Sequence, residues 1–177
     1  AALLSCGVPT GWGSAVNSAG ITPGAVVIVM GIGGVGANAL QGAAYAGAKT
    51  VIAVDPVPFK QQIAKTFGAT HAFGTIEEAA DYARSITNGQ GADATIVTIG
   101  VTKGDHVGAA LASIRKAGTV VVTGLGDITA AGAPIALGDL TLFQKRLQGS
   151  LFGEANPRFD IPNLLRLYRD GQLKLDE

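Results

Sequence analysis

The feature that most limits what this chain can fold into is Gly31-Ile32-Gly33-Gly34-Val35-Gly36, set between the apolar run Val26 to Met30 and an Ala-rich stretch. In a strand-turn-helix setting each glycine has a separate duty. The first permits a tight turn, the second lets a diphosphate approach bare backbone, and the third lets the helix pack closely on the strand. The helix start behind them offers free N–H groups and a partial positive charge to phosphate. Such spacings also arise by chance, and 26 of the 177 residues are glycine, so the loop needs a second signal.

Asp55 supplies it. It closes the next apolar run, Val51 to Val54, 19 residues beyond Gly36. An acid about 20 residues after the glycines is where the ribose of a dinucleotide is held. The carboxylate is suited to accept from both adenosine ribose hydroxyls, and its charge repels a 2′-phosphate. Pro56-Val57-Pro58-Phe59 brings no Arg to offset that repulsion, so NAD is expected over NADP. A plainer role for Asp55 is to cap the turn at Pro56. Lys60 either reaches the same ribose or is a solvated helix residue.

The rest of the chain repeats the strand-then-helix alternation that marks parallel βαβ units. Further apolar runs are His71 to Phe73, Ala94 to Ile99 and Thr119 to Thr123, and a sixth, Leu147 to Phe152, reads as an edge. Helices are expected over Val35 to Ala46, Pro58 to Phe67, Glu77 to Thr87, Gly104 to Ile114 and Pro157 to Tyr168. Gly47, Gly68, Gly89 and Gly118 stand where left-handed helix ends are favoured. Pro58 suits a helix start, and Gly124 to Gly138 reads as a loop. The fold class is therefore α/β: a Rossmann, doubly wound, parallel six-stranded sheet in the order 3-2-1-4-5-6, helices on both faces, spanning residues 1–177 as one domain. Thr98-Ile99-Gly100 and Thr123-Gly124-Leu125 fall at the carboxyl ends of strands, where open sheets place ligand contacts.

Composition agrees. Charged residues are 15% of the chain against about 25% in average soluble domains, while 47% are apolar, as a buried parallel sheet requires. The net charge is zero and no Lys/Arg cluster exceeds two residues, so no nucleic-acid footprint is expected. No apolar run reaches the ~18 residues of a membrane span. The opening Ala-Ala-Leu-Leu-Ser-Cys-Gly has no basic or long apolar lead-in of a lipoprotein signal. Cys6 is the only cysteine, so an internal disulfide is impossible and a reducing, cytoplasmic compartment is the expectation. The sole Met at position 30 suggests a fragment of a longer protein.

Leu4-Ser5-Cys6-Gly7-Val8-Pro9-Thr10-Gly11-Trp12-Gly13-Ser14-Ala15-Val16, taken with Gly31 to Gly36 and Val54-Asp55, resembles the zinc-dependent medium-chain alcohol dehydrogenases over almost the whole chain. Within that family it is similar to the class III group, with its glutathione- or mycothiol-linked formaldehyde dehydrogenases, and to the nitrosoaniline-dependent enzymes. The resemblance implies that Cys6 is a thiolate ligand of a catalytic zinc, although a lone Cys is ordinarily a small hydrophobe. It implies that Thr10 lies near the nicotinamide and Lys60 near the adenosine ribose. Thr98, Ile99, Thr123, Gly124 and Leu125 match contacts along the cofactor, as do Ile32, Gly33, Gly34 and Val35. Leu147 to Phe152 matches an edge strand that pairs across a homodimer.

A catalytic zinc takes three protein ligands and an open position, and Cys6 is the only family ligand present. His71 and His106 are expected to be surface or packing residues. The remaining ligands, the proton relay and the pocket for the alcohol or aldehyde are expected in an N-terminal zinc and substrate domain outside these residues. The function implied is the NAD(H)-binding half of an alcohol dehydrogenase, inactive when isolated. Two alternatives stand beside it: a zinc-free medium-chain quinone or enoyl reductase, and a non-catalytic NAD-binding and dimerisation module.

Overall fold

Strands that are apolar at every position need cover on both faces, and the connections that provide it are helices. The computed structural model describes residues 2–177. In chain order these form α1 (Gly7–Gly13), β1 (Val26–Met30), α2 (Gly34–Tyr45), β2 (Thr50–Val54), α3 (Pro58–Ala64), β3 (His71–Phe73) and α4 (Ile76–Ile86). They continue through β4 (Ala92–Val97), α5 (Gly104–Ser113), β5 (Ile114–Val122), α6 (Leu137–Leu142), β6 (Arg146–Gly149) and α7 (Pro157–Arg169). All strands are parallel, in the order β3-β2-β1-β4-β5-β6. The doubly wound order expected from the alternation is the one observed.

Period-two alternation sends the strand side chains into two separate cores. Val27, Val29, Val51, Ala53 and Ile96 face Ala39, Leu40 and Ala43 of α2 and Ala64 of α3. Ile28, Met30, Ile52, Val54 and Val97 face Ala79 and Ala83 of α4 and Ala110 and Leu111 of α5. Each fully buried Val or Ile contributes about 1.5–3 kcal/mol relative to exposure. The small alanines let the helices lie close to the sheet. A third cluster joins Leu4, Val8 and Trp12 to Leu164, Leu167 and Leu173, seating α7 on the N-terminal segment. The chain winds one way from β1 through β2 to β3 and the other way from β4 to β6, which opens a crevice at the carboxyl ends of β1 and β4.

Several boundaries correct the sequence reading. Gly118 is no helix end: α5 runs straight into β5, Gly118 lies inside that strand, and the left-handed residue is Ala117, with φ of 57°. The register between β4 and β5 shifts between Ala92 and Ala94, so a bulge absorbs the irregularity. β4 ends at Val97, placing Thr98 and Ile99 just past the strand. α6 begins at Leu137, inside the expected loop Gly124 to Gly138, and runs on through residues for which no helix was expected; β6 covers only Arg146–Gly149 rather than Leu147 to Phe152. Gly153 continues the chain there at φ of 65° in a short helical turn. The N-terminal segment is a 3-10 turn, α1 and a π-helical turn over Ser14–Ser18.

Candidate functional site: the cleft at the winding reversal

β1 delivers the chain to Gly31, whose φ of 91° lies in the left-handed region that favours glycine. Its N–H donates to the Val54 carbonyl at 2.8 Å, so the turn is pinned to the end of β2. Gly36, the last of the motif, is set so close that a Cβ there would overlap the Gly31 carbonyl oxygen and press on Thr98 Oγ1. Helix and turn can meet this tightly only at glycine. At Gly33 and Gly34 an added Cβ would meet no protein atom, so the middle of the loop faces open space. There α2 begins, and the first N–H groups of a helix lack partners within it. A negatively charged group is favoured at that place.

Asp55 borders the same space. It is 3% exposed, and its Oδ2 accepts from Ile32 N–H at 2.8 Å while Oδ1 accepts from Val57 N–H at 3.0 Å. Lys60 Nζ stands 3.4 Å from Oδ2. The turn-capping role considered for this acid is therefore real, and it coexists with a second role, because the Ile32 bond ties the carboxylate to the glycine loop. A carboxylate has about four acceptor positions, so capacity for a ligand's hydroxyls is left. Lys60 turns out to be the ion partner of Asp55 instead of a detached surface residue.

Gly31, Ile32, Gly33, Gly34, Val35, Asp55, Lys60, Thr98 and Ile99 all line one cleft of about 780 Å³, within the range of cofactor sites. Thr98 serves it indirectly: its buried hydroxyl is 2.9 Å from the Met30 carbonyl and 2.7 Å from that of Gly31. It holds the turn in place. Glu77 of α4 lines the cleft without having been singled out in the sequence, and His106 of α5, expected to be a surface or packing residue, lines it as well. Sequence distance hid them, since each enters the cleft only through the strand order.

Thr10 and Thr123 form a second group outside that cleft. Ser14 Oγ donates to the Thr10 carbonyl at 2.6 Å and lies 2.8 Å from Thr123 Oγ1. A hydroxyl has one proton, so the Thr123 hydroxyl is the donor to Ser14. The chain of hydroxyls continues through Ser150 to Ser18, at 3.3 and 2.8 Å. Ser14 and Ser18 sit one turn apart in the sequence, a visible hint, but their partner Ser150 comes from the other end of the chain. The Thr10 hydroxyl donates to the Cys6 carbonyl at 2.8 Å. Gly124 N–H donates to Val97 O at 2.9 Å, while Leu125 is 76% exposed.

Cys6 is exposed at the start of α1. Among the described residues no three His, Cys, Asp or Glu side chains gather where a metal could be held. These residues by themselves do not make up a catalytic zinc site, and Cys6 is a single ligand at most. His71 is a packing residue, its Nε2 2.7 Å from the Tyr82 hydroxyl and its Nδ1 3.0 Å from Thr70 Oγ1. Among the described residues no helix is long and apolar enough to cross a membrane.

A parallel sheet wound both ways from its centre, with a glycine turn and a buried acid at the reversal, defines a Rossmann-type domain. Comparison with known proteins narrows the class. The family model described as zinc-binding dehydrogenase matches residues 34–170. The chain is 50% identical over 177 residues to the NDMA-dependent alcohol dehydrogenase of Amycolatopsis methanolica, covering all of this chain and 48% of that protein. It is 45% identical to alcohol dehydrogenase B of Mycobacterium tuberculosis, again over its full length and 47% of the relative. The crystal structure of the alcohol dehydrogenase zinc-binding domain protein from Burkholderia ambifaria superimposes with a TM-score of 0.88 at 32% identity, over 96% of this chain and 45% of that one. The chain belongs to the zinc-binding dehydrogenase family. It spans about half the length of the curated relatives it matches.

Proposed function

We propose that this chain is the NAD(H)-binding half of a zinc-dependent alcohol dehydrogenase. The observation that carries the reading is the 2.8 Å bond from Ile32 N–H to Asp55, which places glycine loop and acid on one cleft. The pyrophosphate would rest at Gly33 and Gly34 on the start of α2, and the adenosine ribose against Asp55. When bound, NAD supplies the acceptor for a hydride from the carbinol carbon of an alcohol, or as NADH the donor to an aldehyde.

The chain's share of the work is binding and orientation. Asp55 is clamped by two backbone N–H groups and cannot swing aside for a 2′-phosphate. Lys60 is already engaged with Asp55, so it offers that phosphate no unshared charge. Discrimination against NADP follows from this rigidity. Thr10 and Thr123, locked together by Ser14, are the residues we assign to the nicotinamide end. Ile99, Gly124 and Leu125 would border the path between the two ends.

In the full-length protein, Cys6 would contribute one zinc ligand, and a flanking domain the others together with the substrate pocket. Homodimers would form along the outer edge of β6, where Leu147 and Leu151 are exposed beside an unpaired strand.

Titrating the chain with NAD and NADP by calorimetry tests the cofactor assignment; tighter NADP binding defeats the role of Asp55. Zinc analysis of the full-length protein separates this reading from a zinc-free reductase, which would contain none. The isolated chain, given zinc, NAD and ethanol, should produce no NADH, and zinc-dependent turnover would refute the need for a second domain.

A further inference from the structure

Two polar side chains of the cleft, Glu77 and His106, are not used by the phosphate and ribose assignments above. We propose that they read the adenine base, Glu77 accepting from its exocyclic amino group and His106 donating to a ring nitrogen. The proposal rests on the dinucleotide reading above.

With phosphates at the α2 end and ribose at Asp55, the base has to continue along the cleft away from the glycine loop. β3 lies beside β2, so the loop after β3 borders Asp55 on one side, while the start of α5 borders it from the β4 side. α4 and α5 pack on the same face of the sheet, which brings their first turns to the same cleft. Ile76 and Ile99 add apolar lining suited to the faces of a purine.

Neighbouring bonds leave one polar group of each residue without a protein partner among the described residues. In the α4 turn the capping is done by the neighbouring Glu78, whose Oε2 accepts from Gly74 N–H at 3.1 Å and Thr75 N–H at 3.2 Å. Glu77 is thereby left with no hydrogen bond or ion pair among the described residues, exposed in the first turn of a helix whose cap is already held in place. His106 Nδ1 accepts from Lys103 N–H at 3.1 Å. A backbone N–H only donates, so Nδ1 carries no proton and the neutral ring keeps its proton on Nε2. Nε2–H is then a donor with no protein partner among the described residues.

An unengaged acceptor and an unengaged donor flanking apolar walls match adenine, which has an amino group beside ring acceptors. Hypoxanthine puts a carbonyl oxygen where adenine has the amino group, and that oxygen would confront the Glu77 carboxylate. Glu77 is exposed, so the discrimination comes from the repulsion between that oxygen and the carboxylate and from the lost amino-group bond.

The test is calorimetric titration of the whole 177-residue chain with NAD and with nicotinamide hypoxanthine dinucleotide. The wild type should favour NAD by about tenfold, the scale of one charge-assisted hydrogen bond. Glu77→Ala should remove the preference, chiefly by weakening NAD. His106→Ala should weaken both dinucleotides about fivefold, and His106→Gln, which keeps an N–H donor, should recover most of that loss. Circular dichroism of each variant establishes that the fold is intact. Equal wild-type affinity for the two dinucleotides, or a Glu77→Ala protein that still prefers NAD, overturns base reading and leaves the cofactor assignment standing. A wild-type chain that binds neither dinucleotide overturns both.

Discussion

The centre of the sheet and its β6 edge are built on different terms. In β1 and β2 every residue is buried, and the cleft beside them is held by bonds that each serve two elements. Gly31 N–H ties the β1 turn to β2, Thr98 ties it to β4, and Asp55 ties it to its own following turn. β6 has no buried residue, and the segment leading to and from it exposes large apolar side chains such as Ile128 at 93% and Leu151 at 88%. The cleft we assign to the cofactor lies where the backbone is over-determined, while the β6 edge displays apolar surface of the kind that proteins normally cover with a partner.

The strongest way to break that contrast is Gly36→Val. Its branched side chain would collide with the Gly31 carbonyl and Thr98. We expect destabilisation of roughly 3 kcal/mol, at the upper end for overpacking, and no detectable NAD binding. Urea unfolding paired with calorimetry would decide it; unchanged NAD affinity means the loop is not the phosphate site.

Asp55→Ala should come next. It leaves Ile32 N–H and Val57 N–H without their acceptor, a loss of about 1–3 kcal/mol in stability for unsatisfied buried groups. Affinity for NAD should fall by more than about tenfold, and the gap between NAD and NADP should close. If the variant loses stability yet keeps its preference for NAD, the acid is a turn cap alone.

Ser14→Ala is milder. It deprives the Thr123 hydroxyl of its acceptor and cuts the link to Ser150, costing about 1 kcal/mol. NAD binding should weaken severalfold while NADP discrimination is untouched, since Asp55 is assigned to the other end of the cofactor. A shift in discrimination would show that the two groups of residues are not separate.

The smallest effect on folding is expected at the exposed edge. Leu151→Asp should change unfolding free energy by no more than about 0.5 kcal/mol. Sedimentation of the full-length protein should nevertheless move from dimer towards monomer. A large drop in the stability of the isolated chain would mean that this edge is part of the core after all.

Much of the central site could be read in advance because its residues are close in sequence to the turns that position them. Gly31, Gly36 and Asp55 are constrained by local geometry, by a left-handed turn, a close helix contact and a fixed count along one βαβ unit. Thr98 was placed at a strand end correctly, but its hydroxyl proves to hold the Gly31 turn, a contact across 67 residues. The errors lie where local signals were weak or misleading. Gly118 follows a helix and looks like its end, yet it falls in the bulge just before Thr119 pairs with Ala94, and the left-handed residue there is Ala117. α6 was unreadable because Gly and Ala dominate the stretch before it. Glu77 and His106 had no motif to announce them.

The sequence by itself determined the winding of the sheet and the glycine turn at its reversal, since both follow from alternating apolar runs, glycine steric freedom and the spacing of one acid. Only the tertiary structure decided that Asp55 is clamped by Ile32, that Ser14 links Thr10 to Thr123, and that Glu77 and His106 share a cleft with the glycine loop. Local backbone preference acts over a few residues. These other pairings join strand ends far apart in the chain, and they exist only once the strands lie side by side in the order in which they fold.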